Sequence, residues 1–131
     1  MDYEAQLGQI NETNAFMLHN HIRAVELNAE TARAVVMPGP DALNSMGTVH
    51  GALMMTLAEV AAGSLARSDG RTYVSVDAGF RLISGGKAGT EIEARAEVVK
   101  RGRTLCFIRS RVFQNGKLLL EGDITFYCMG E

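Results

Sequence analysis

The feature that most constrains this sequence is the segment 49–66, which is apolar on nearly every side of a helix. One stripe at helical spacing carries Val49, Leu53, Leu57, Val60 and Ser64. Small residues and methionines cover most of the remaining surface. A helix that is apolar all round must be covered all round, so the pattern predicts a long buried helix over about residues 49–67. Its expected N-cap is Thr48, and Ser68-Asp69-Gly70 is expected to end it.

The rest of the sequence predicts five or six antiparallel strands. The predicted strands lie at residues 20–28, 31–37, 73–83, 90–99, 103–114 and 117–128. The last two flank Asn115-Gly116, which is typical of a type I′ hairpin turn, and Lys100-Arg101-Gly102-Arg103 predicts another tight turn. A strongly curved sheet wrapped around the helix is the economical arrangement, so the expected fold class is α+β.

Strict alternation in 73–83 assigns its side chains to two faces of a strand. One face is expected to carry Val74, Val76, Ala78, Phe80 and Leu82, and the other Ser75, Asp77, Gly79 and Arg81. A sheet this small leaves one face of several strands uncovered. We therefore expect the chain to associate with copies of itself.

Length and composition bound the classes of protein that this chain can belong to. With 131 residues it is expected to form one domain over 1–131, in which 1–19 is an N-terminal extension with room for a short helix. A net charge of −2 shows no basic excess, which argues against binding to nucleic acid. No apolar run is long enough to cross a membrane, and no basic, apolar leader begins the chain, so a cytoplasmic location is expected. Two cysteines without metal spacing predict no metal site.

Glu59 is the only formally charged side chain between Val49 and Ala66. Burial of a carboxylate is costly, so a buried one usually pairs with a cation or shifts its pKa. The small residues on its face leave room for another chain or a ligand. Two interpretations remain open at this point: a catalytic acid, or a structural acid paired with an arginine from a strand.

The start of the predicted helix is the second candidate feature. The first N–H groups of a helix have no intrahelical partner, so the turn at His50 and Gly51 could hold an anion or a developing oxyanion. Gly51 and Glu59 lie eight residues apart, which is about 12 Å along a helix axis. One carbonyl carbon cannot easily reach both groups of the same helix. If both serve one reaction, they should come from two subunits with antiparallel helices.

These residues form a pattern that resembles the hotdog-fold acyl-CoA thioesterases, in the PaaI-like and 4-hydroxybenzoyl-CoA thioesterase branch. The pattern is Asn44-x-x-Gly47-x-x-His50-Gly51, followed by an acid nine residues after the histidine. The likeness extends over roughly residues 20–128, through Val74-Ser75-Val76-Asp77, Arg101-Gly102-Arg103-Thr104-Leu105 and Asp123-Ile124-Thr125-Phe126. It implies a long helix wrapped by an antiparallel sheet and hydrolysis of an acyl-CoA thioester.

The resemblance also implies a role for each matching residue. Gly51 matches the residue whose backbone N–H polarises the thioester carbonyl, and Glu59 matches the acid, from the opposite subunit, that acts as nucleophile or general base. Asn44 matches a residue near the reacting centre, although an asparagine there could equally cap a loop. His50 matches a histidine that supports the loop, and Ser75 matches a hydroxyl that in some members orients the attacking water.

The same resemblance makes coenzyme A part of the substrate, and no other cofactor is expected. Its phosphates call for basic groups, for which Arg101 and Arg103 with Gly102, and Ser84 with Lys87 in the glycine-rich loop, are the candidates. Two departures stand out, because the family commonly has His-Gly-Gly where Ala52 follows Gly51 here, and Arg-Pro where Ser84-Gly85 stands. The implied assembly is a homodimer at least, and a dimer of dimers is expected.

Two other functions stay open. A hotdog hydratase or dehydratase of acyl thioesters would pair a histidine with an acid in a motif that is often rich in proline around the histidine, whereas Pro38 and Pro40 here precede Asn44. A non-catalytic acyl-CoA-binding protein would bind coenzyme A without turnover. The acyl group, and acyl carrier protein in place of coenzyme A, are not distinguished by the sequence.

Overall fold

A computed structural model describes residues 1–130, in which six antiparallel strands curve around one long central helix. The helices are α1 (Tyr3–Thr13), α2 (Ala15–His19) and α3 (Gly51–Ala66). The strands are β1 (Ile22–Leu27), β2 (Thr31–Val36), β3 (Thr72–Leu82), β4 (Ile92–Arg101), β5 (Leu105–Gln114) and β6 (Lys117–Gly130). Their order in the sheet is β1-β2-β4-β5-β6-β3, so β1 and β3 form its edges. The predicted α+β fold with six strands and one long buried helix is confirmed.

Helix α3 is buried because its sequence has no polar face. Leu57, Ala58, Ala62, Leu65 and Ala66 have no exposed surface at all. Small side chains on the helix let the sheet approach closely, and apolar side chains from β2, β4, β5 and β6 fill the space around it. The Asn115-Gly116 hairpin is present with φ of 50° and 76°, as a type I′ turn requires.

A β-bulge in β3 overturns the expected alternation of that strand. Ser75 pairs with Phe126 and Asp77 with Thr125, so Val76 is an extra residue without a partner on β6. The extra residue shifts the period by one, and Ser75 therefore shares a cleft with Ala78 and Phe80. The prediction that Ser75 lies opposite Ala78 and Phe80 is wrong for this physical reason.

The apolar side chains of β3 are also less buried than the alternation predicted. Val74 is 42% exposed and Val76 is 57% exposed, because β3 is an edge strand with a neighbour on one side only. An exposed apolar edge of this kind is where a sheet can be extended by another chain. The structure therefore presents the apolar edge that the expected self-association would need.

The N-terminal extension folds as two helices rather than one short one. Asp2 caps α1 by accepting a hydrogen bond from the N–H of Ala5, and Asn14 caps α2 by accepting one from Met17. Asn11 of α1 accepts the N–H of Ala24 on β1 and donates to the carbonyl oxygen of the same residue. Helix α1 thereby covers part of the β1 edge. Within residues 1–130, no helix combines the length and apolar character that crossing a membrane takes.

The C-terminal end of α3 is held by a charged cluster that the sequence did not predict. Arg101 donates to the carbonyl oxygens of Leu65 and Ala66, which end the helix, and to the carboxylate of Asp69 at 3.0 Å. Tyr73 donates its hydroxyl proton to the same carboxylate at 2.7 Å. A cation at a helix C-terminus satisfies carbonyl groups that have no intrahelical donor. This cluster links the end of α3 to β3 and β4.

Asp69 should make the stability of the fold depend on pH. Burial raises its pKa, but hydrogen bonds from Arg71 and Tyr73 outweigh burial, so that the pKa lies below the ordinary value of 3.8. A carboxyl whose folded-state pKa is depressed stabilises the fold above its unfolded-state pKa, and this contribution is lost as the pH falls through the folded-state value. We expect Asp69→Asn to lower the free energy of unfolding by about 1–2 kcal/mol at pH 7. The deficit should shrink below about pH 4.

Urea unfolding between pH 7 and pH 2.5 measures this dependence. Asp123→Asn is the matched control, because Asp123 pairs with Arg109 on the surface and its side chain is 70% exposed. A stability deficit of Asp69→Asn that stays constant over the whole pH range would contradict the prediction.

Candidate active site

The chain enters α3 through a loop that is anchored on two sides. Val49 donates its N–H to the carbonyl oxygen of Gly86, and His50 donates its N–H to that of Ala42. His50 is the N-cap, since its Nδ1 accepts the N–H of Ala52 at 3.0 Å. The prediction that Thr48 is the N-cap of this helix is therefore wrong.

Gly51 is the first residue of α3, and its N–H donates to no acceptor among residues 1–130. A Cβ atom at this position would lie 2.4 Å from Cδ2 of Leu82 on β3, so a larger residue here would have to displace the end of that flexible, exposed side chain. The helix therefore begins with a free donor, the positive end of its dipole, and close packing against β3. These are the features that the expected oxyanion site at Gly51 would need.

Asn44 organises the loop that leads to the helix. Its Oδ1 accepts the N–H groups of Met46 and Thr48, and its Nδ2 donates to Oγ1 of Thr48. The backbone N–H of Asn44 also donates to the carbonyl oxygen of Thr48. These contacts are those of an asparagine that caps a loop, which was the alternative to a place at the reacting centre.

Glu59 lies half-buried on α3, and its carboxylate has no hydrogen bond or ion pair with residues 1–130. It lines a cleft of about 440 Å³ together with Ser75 of β3. The apolar walls come from Phe16, Met55 and Phe80. Desolvation by these surroundings raises the pKa of Glu59, while the positive charge of Arg67 opposes the rise. A carboxylate of raised pKa beside a cleft is suited to accept a proton near neutral pH.

The structure joins some of the predicted site residues and separates others. Glu59 and Ser75 share one cleft, as the bulge in β3 requires. His50 lines a different cleft, of about 680 Å³, with apolar side chains that include Leu18, Met37 and Leu53. The helix start and the acid therefore belong to different clefts of one protomer, in keeping with the expectation that a single reaction would need both from different subunits.

The candidates for binding coenzyme A lie at opposite ends of α3. Gly85 beside Ser84 packs against Thr48, so Ser84 and Lys87 flank the helix start. The N–H of Lys87 is held by Gln114, and its side chain is exposed. Arg103, also exposed, lies at the far end beyond β4.

Arg101 and Gly102 have structural roles that the sequence analysis did not anticipate. The guanidinium of Arg101 is occupied by the C-terminal end of α3, by Asp69 and by the Tyr73 hydroxyl. Gly102 closes the turn between β4 and β5 by donating its N–H to the carbonyl oxygen of Leu105. Acceptors within the protomer already occupy Nη1 and Nη2 of Arg101, which argues against the expected contact of Arg101 with phosphate.

Sequence reasoning missed the contribution of the N-terminal extension to the site. Asn14 and Phe16 line the cleft of Glu59, although they lie more than forty residues away in the chain. The available signal was the short apolar run Ala15-Phe16-Met17-Leu18 in the N-terminal extension, of which Phe16 is 65% exposed. Nothing in the sequence pattern indicated which cleft it would border.

Comparisons with known proteins show which family and which fold this chain resembles. The Thioesterase superfamily matches residues 46–121 of the chain, which include the helix start, Glu59 and Ser75. Human acyl-coenzyme A thioesterase 13 is 35% identical over 86 residues, which cover 63% of this chain. The match spans 61% of the human protein, so it covers less than two thirds of that relative.

Solved structures share the architecture over more of the chain. A variant of the phenylacetic acid degradation protein PaaI from Thermus thermophilus is 25% identical with a TM-score of 0.84, covering 87% of this chain and 98% of its own. The PaaI protein of E. coli is 18% identical with a TM-score of 0.93, covering 98% of this chain and 94% of its own. These matches identify the hotdog fold, and the second includes both N-terminal helices in its coverage.

Substitution of Asn44 tests whether this residue stabilises the loop before α3, independently of any place at the reacting centre. We expect Asn44→Ala to speed amide hydrogen exchange at Met46 and Thr48 and to lower the free energy of unfolding by about 1 kcal/mol, because two N–H groups lose their acceptor. Ser45→Ala is the control, since Ser45 belongs to the same loop. Asn44→Asp keeps the acceptor oxygen. Unchanged exchange in Asn44→Ala would contradict the assignment to the loop.

Proposed function

The chain belongs to the Thioesterase superfamily, and from this premise we propose that it hydrolyses an acyl-CoA thioester to a free acid and coenzyme A. The observation that carries the proposal is a free N–H at the start of a buried helix, combined with an unpaired, half-buried carboxylate on the same helix. The family match and the name of the human relative support the same reaction.

The proposed role of Gly51 is to stabilise charge on the thioester oxygen. Its N–H would donate to the carbonyl oxygen, and the positive end of the α3 dipole would favour the oxyanion that forms on attack. His50 supports this arrangement, because its Nδ1 accepts the N–H of Ala52 and fixes the first turn. Hydrogen bonds of this kind act mainly in the transition state, so they raise the rate rather than merely the affinity.

The proposed role of Glu59 is to deliver the attacking oxygen. As general base its carboxylate takes a proton from water while the water oxygen bonds to the carbonyl carbon, and the C–S bond then breaks to release coenzyme A as its thiolate. As nucleophile the carboxylate itself bonds to the carbonyl carbon, the C–S bond breaks to release the coenzyme A thiolate, and water then hydrolyses the mixed anhydride to the free acid and Glu59. Ser75 lies in the same cleft, where its hydroxyl can orient the water.

Geometry supports a site shared between two subunits. Gly51 and Glu59 are separated by about 12 Å along α3. His50, next to Gly51, lines a different cleft from the one that Glu59 lines. In a dimer with antiparallel helices, Gly51 of one protomer would face Glu59 of the partner subunit. The free edge of β3, with Val74 and Val76 exposed, is the surface that we propose for this pairing.

The proposed substrates are aryl-, phenylacetyl- or short- to medium-chain acyl-CoA esters. The cleft beside His50 is walled by apolar side chains such as Phe16, Met37 and Leu53, which suit an apolar acyl group. Ser84, Lys87 and Arg103 remain the proposed contacts of the coenzyme A portion, since their side chains are not occupied by ion pairs among residues 1–130.

Substitution of Glu59 tests the proposed chemistry. We expect Glu59→Gln to lower kcat by about 10²- to 10⁴-fold, because the amide cannot accept the proton or form the anhydride. Thiol release from a panel of acyl-CoA esters measures the rate, and a protein-only blank corrects for Cys106 and Cys128. Absence of turnover by the wild-type chain on every ester would reject the proposal. Stabilisation by coenzyme A without turnover would then favour a binding protein.

A paired substitution isolates the Gly51 N–H. Gly51→Pro and Gly51→Ala both place a Cβ atom against Leu82, but only proline removes the donor, and proline is well tolerated at the first position of a helix. We expect Gly51→Pro to be about 10²- to 10³-fold slower than Gly51→Ala. Equal rates for the two variants would exclude the N–H as oxyanion donor.

Mixed dimers test whether the site is shared. A dimer of one Glu59→Gln chain with one Gly51→Pro chain keeps one intact pair if the groups come from different subunits. About half of the wild-type activity should then return, since one site of two is restored. If both groups acted within one protomer, every site would carry a defect and no activity would return.

A further inference from the structure

Because Gly63 has no side chain, a space remains between Glu59 of α3 and Arg67, the C-cap of that helix. A Cβ atom on Gly63 would lie 2.8 Å from Nη1 of Arg67 and 3.4 Å from Oε2 of Glu59. These two distances limit the separation of Nη1 and Oε2 to roughly 6 Å, within the range where an opposite charge favours an ionised carboxyl. The two side chains form no direct ion pair within residues 1–130. The guanidinium therefore acts on the carboxylate across the space that glycine leaves.

The groups around Glu59 include few other charges. Helices α1 and α2 contribute uncharged side chains to its two clefts, among them Gln9 and Phe16, and β3 contributes Ser75 and Phe80. Arg67 and Arg71 are the charged side chains, other than Glu59 itself, that line these clefts. In the proposed dimer, His50 of the partner subunit is the further titratable group that would approach.

Arg71 is already committed to other acceptors. Its Nε donates to Asp69, its Nη2 to the Tyr73 hydroxyl and its Nη1 to the carbonyl oxygen of Arg103. Arg67 uses only its Nε, which donates to the carbonyl oxygen of Tyr73 at 3.3 Å. The Nη1 group of Arg67 therefore remains free of hydrogen bonds within residues 1–130 and lies against the space beside Gly63.

We propose that Arg67 is a positioning residue for the reaction: across the space left by Gly63, its guanidinium favours the charged form of the Glu59 carboxylate beside a cleft lined by Phe16, Met55 and Phe80. This inference rests on the proposed function of Glu59. It adds a residue that touches neither substrate nor the reacting atoms. It also explains why a helix glycine, which usually costs stability, stands one turn after Glu59.

The physical reasoning sets the direction of the effect. Burial raises the pKa of Glu59 and the charge of Arg67 lowers it. Removal of the positive charge should raise the pKa further, so that the carboxylate is lost at a higher pH as the solution is acidified. The acid limb of kcat/KM should therefore move upward in Arg67→Gln, and solvent around the exposed Arg67 side chain moderates the shift.

The test compares pH profiles of four chains. Arg67→Gln should shift the acid limb upward and leave the rate on the high-pH plateau within about twofold of wild type, whereas Arg67→Lys should restore the wild-type limb. Arg71→Gln is the matched control, because it removes the same charge from the same cleft but leaves Arg67 in place. The partner's His50 is unchanged in all these chains, so its contribution is the same in each of the four profiles.

A second readout keeps this inference separate from the proposed function. Carbon NMR of the side-chain carboxyl of Glu59 follows its titration without any turnover, so it remains valid if no ester is hydrolysed. Gly63→Ala should shift the same titration upward, since the added methyl displaces the guanidinium. Identical Glu59 titrations in wild type, Arg67→Gln and Gly63→Ala would overturn the proposal, and so would an equal shift in Arg71→Gln.

Discussion

Burial of a helix that has no polar face is the constraint on which the rest of this structure depends. Because α3 has apolar residues on all sides, the sheet must curve around it, and the strand faces that meet it are made of alanine, valine, isoleucine and leucine. At the two ends of this buried helix, backbone N–H and C=O groups have no intrahelical partner and need hydrogen bonds from other groups. Arg101 supplies donors at the C-terminal end, whereas at the N-terminal end the N–H of Gly51 has no acceptor within residues 1–130.

A charged side chain on such a helix needs a site where the surrounding packing leaves a cleft beside it. Glu59 lies between the N-terminal helices and β3, and a cleft remains on either side of it. The resulting desolvation raises its basicity, and the nearby guanidinium limits how far this goes. Burial of Glu59 disfavours its charged form, whereas the proposed chemistry needs that form. Because Gly63 has no side chain, the guanidinium of Arg67 can lie close enough to favour the charged carboxylate.

The helix, the strands and the Asn115-Gly116 turn could be predicted because each depends on periodicity or on local backbone preference. The placement of Ser75 could not, since a bulge at Val76 changes the face of the strand without a compositional signal. The N-cap was assigned to Thr48, but that side chain is held by Asn44, and the imidazole of His50 caps the helix instead. Arg101 was assigned to phosphate because a sequence shows a charge but not the carbonyl groups that surround it in space.

The two edges of the sheet differ in a way that bears on how copies of the chain can assemble. One edge, β1, is flanked by α1, where Asn11 occupies the backbone N–H and carbonyl of Ala24. The other edge, β3, has no such cover from the rest of the described chain. A sheet with one guarded edge can be extended in one direction only. When the β3 edges of two copies pair, neither copy has a second free edge. Strand pairing therefore ends at a closed dimer and does not continue into an open-ended fibre.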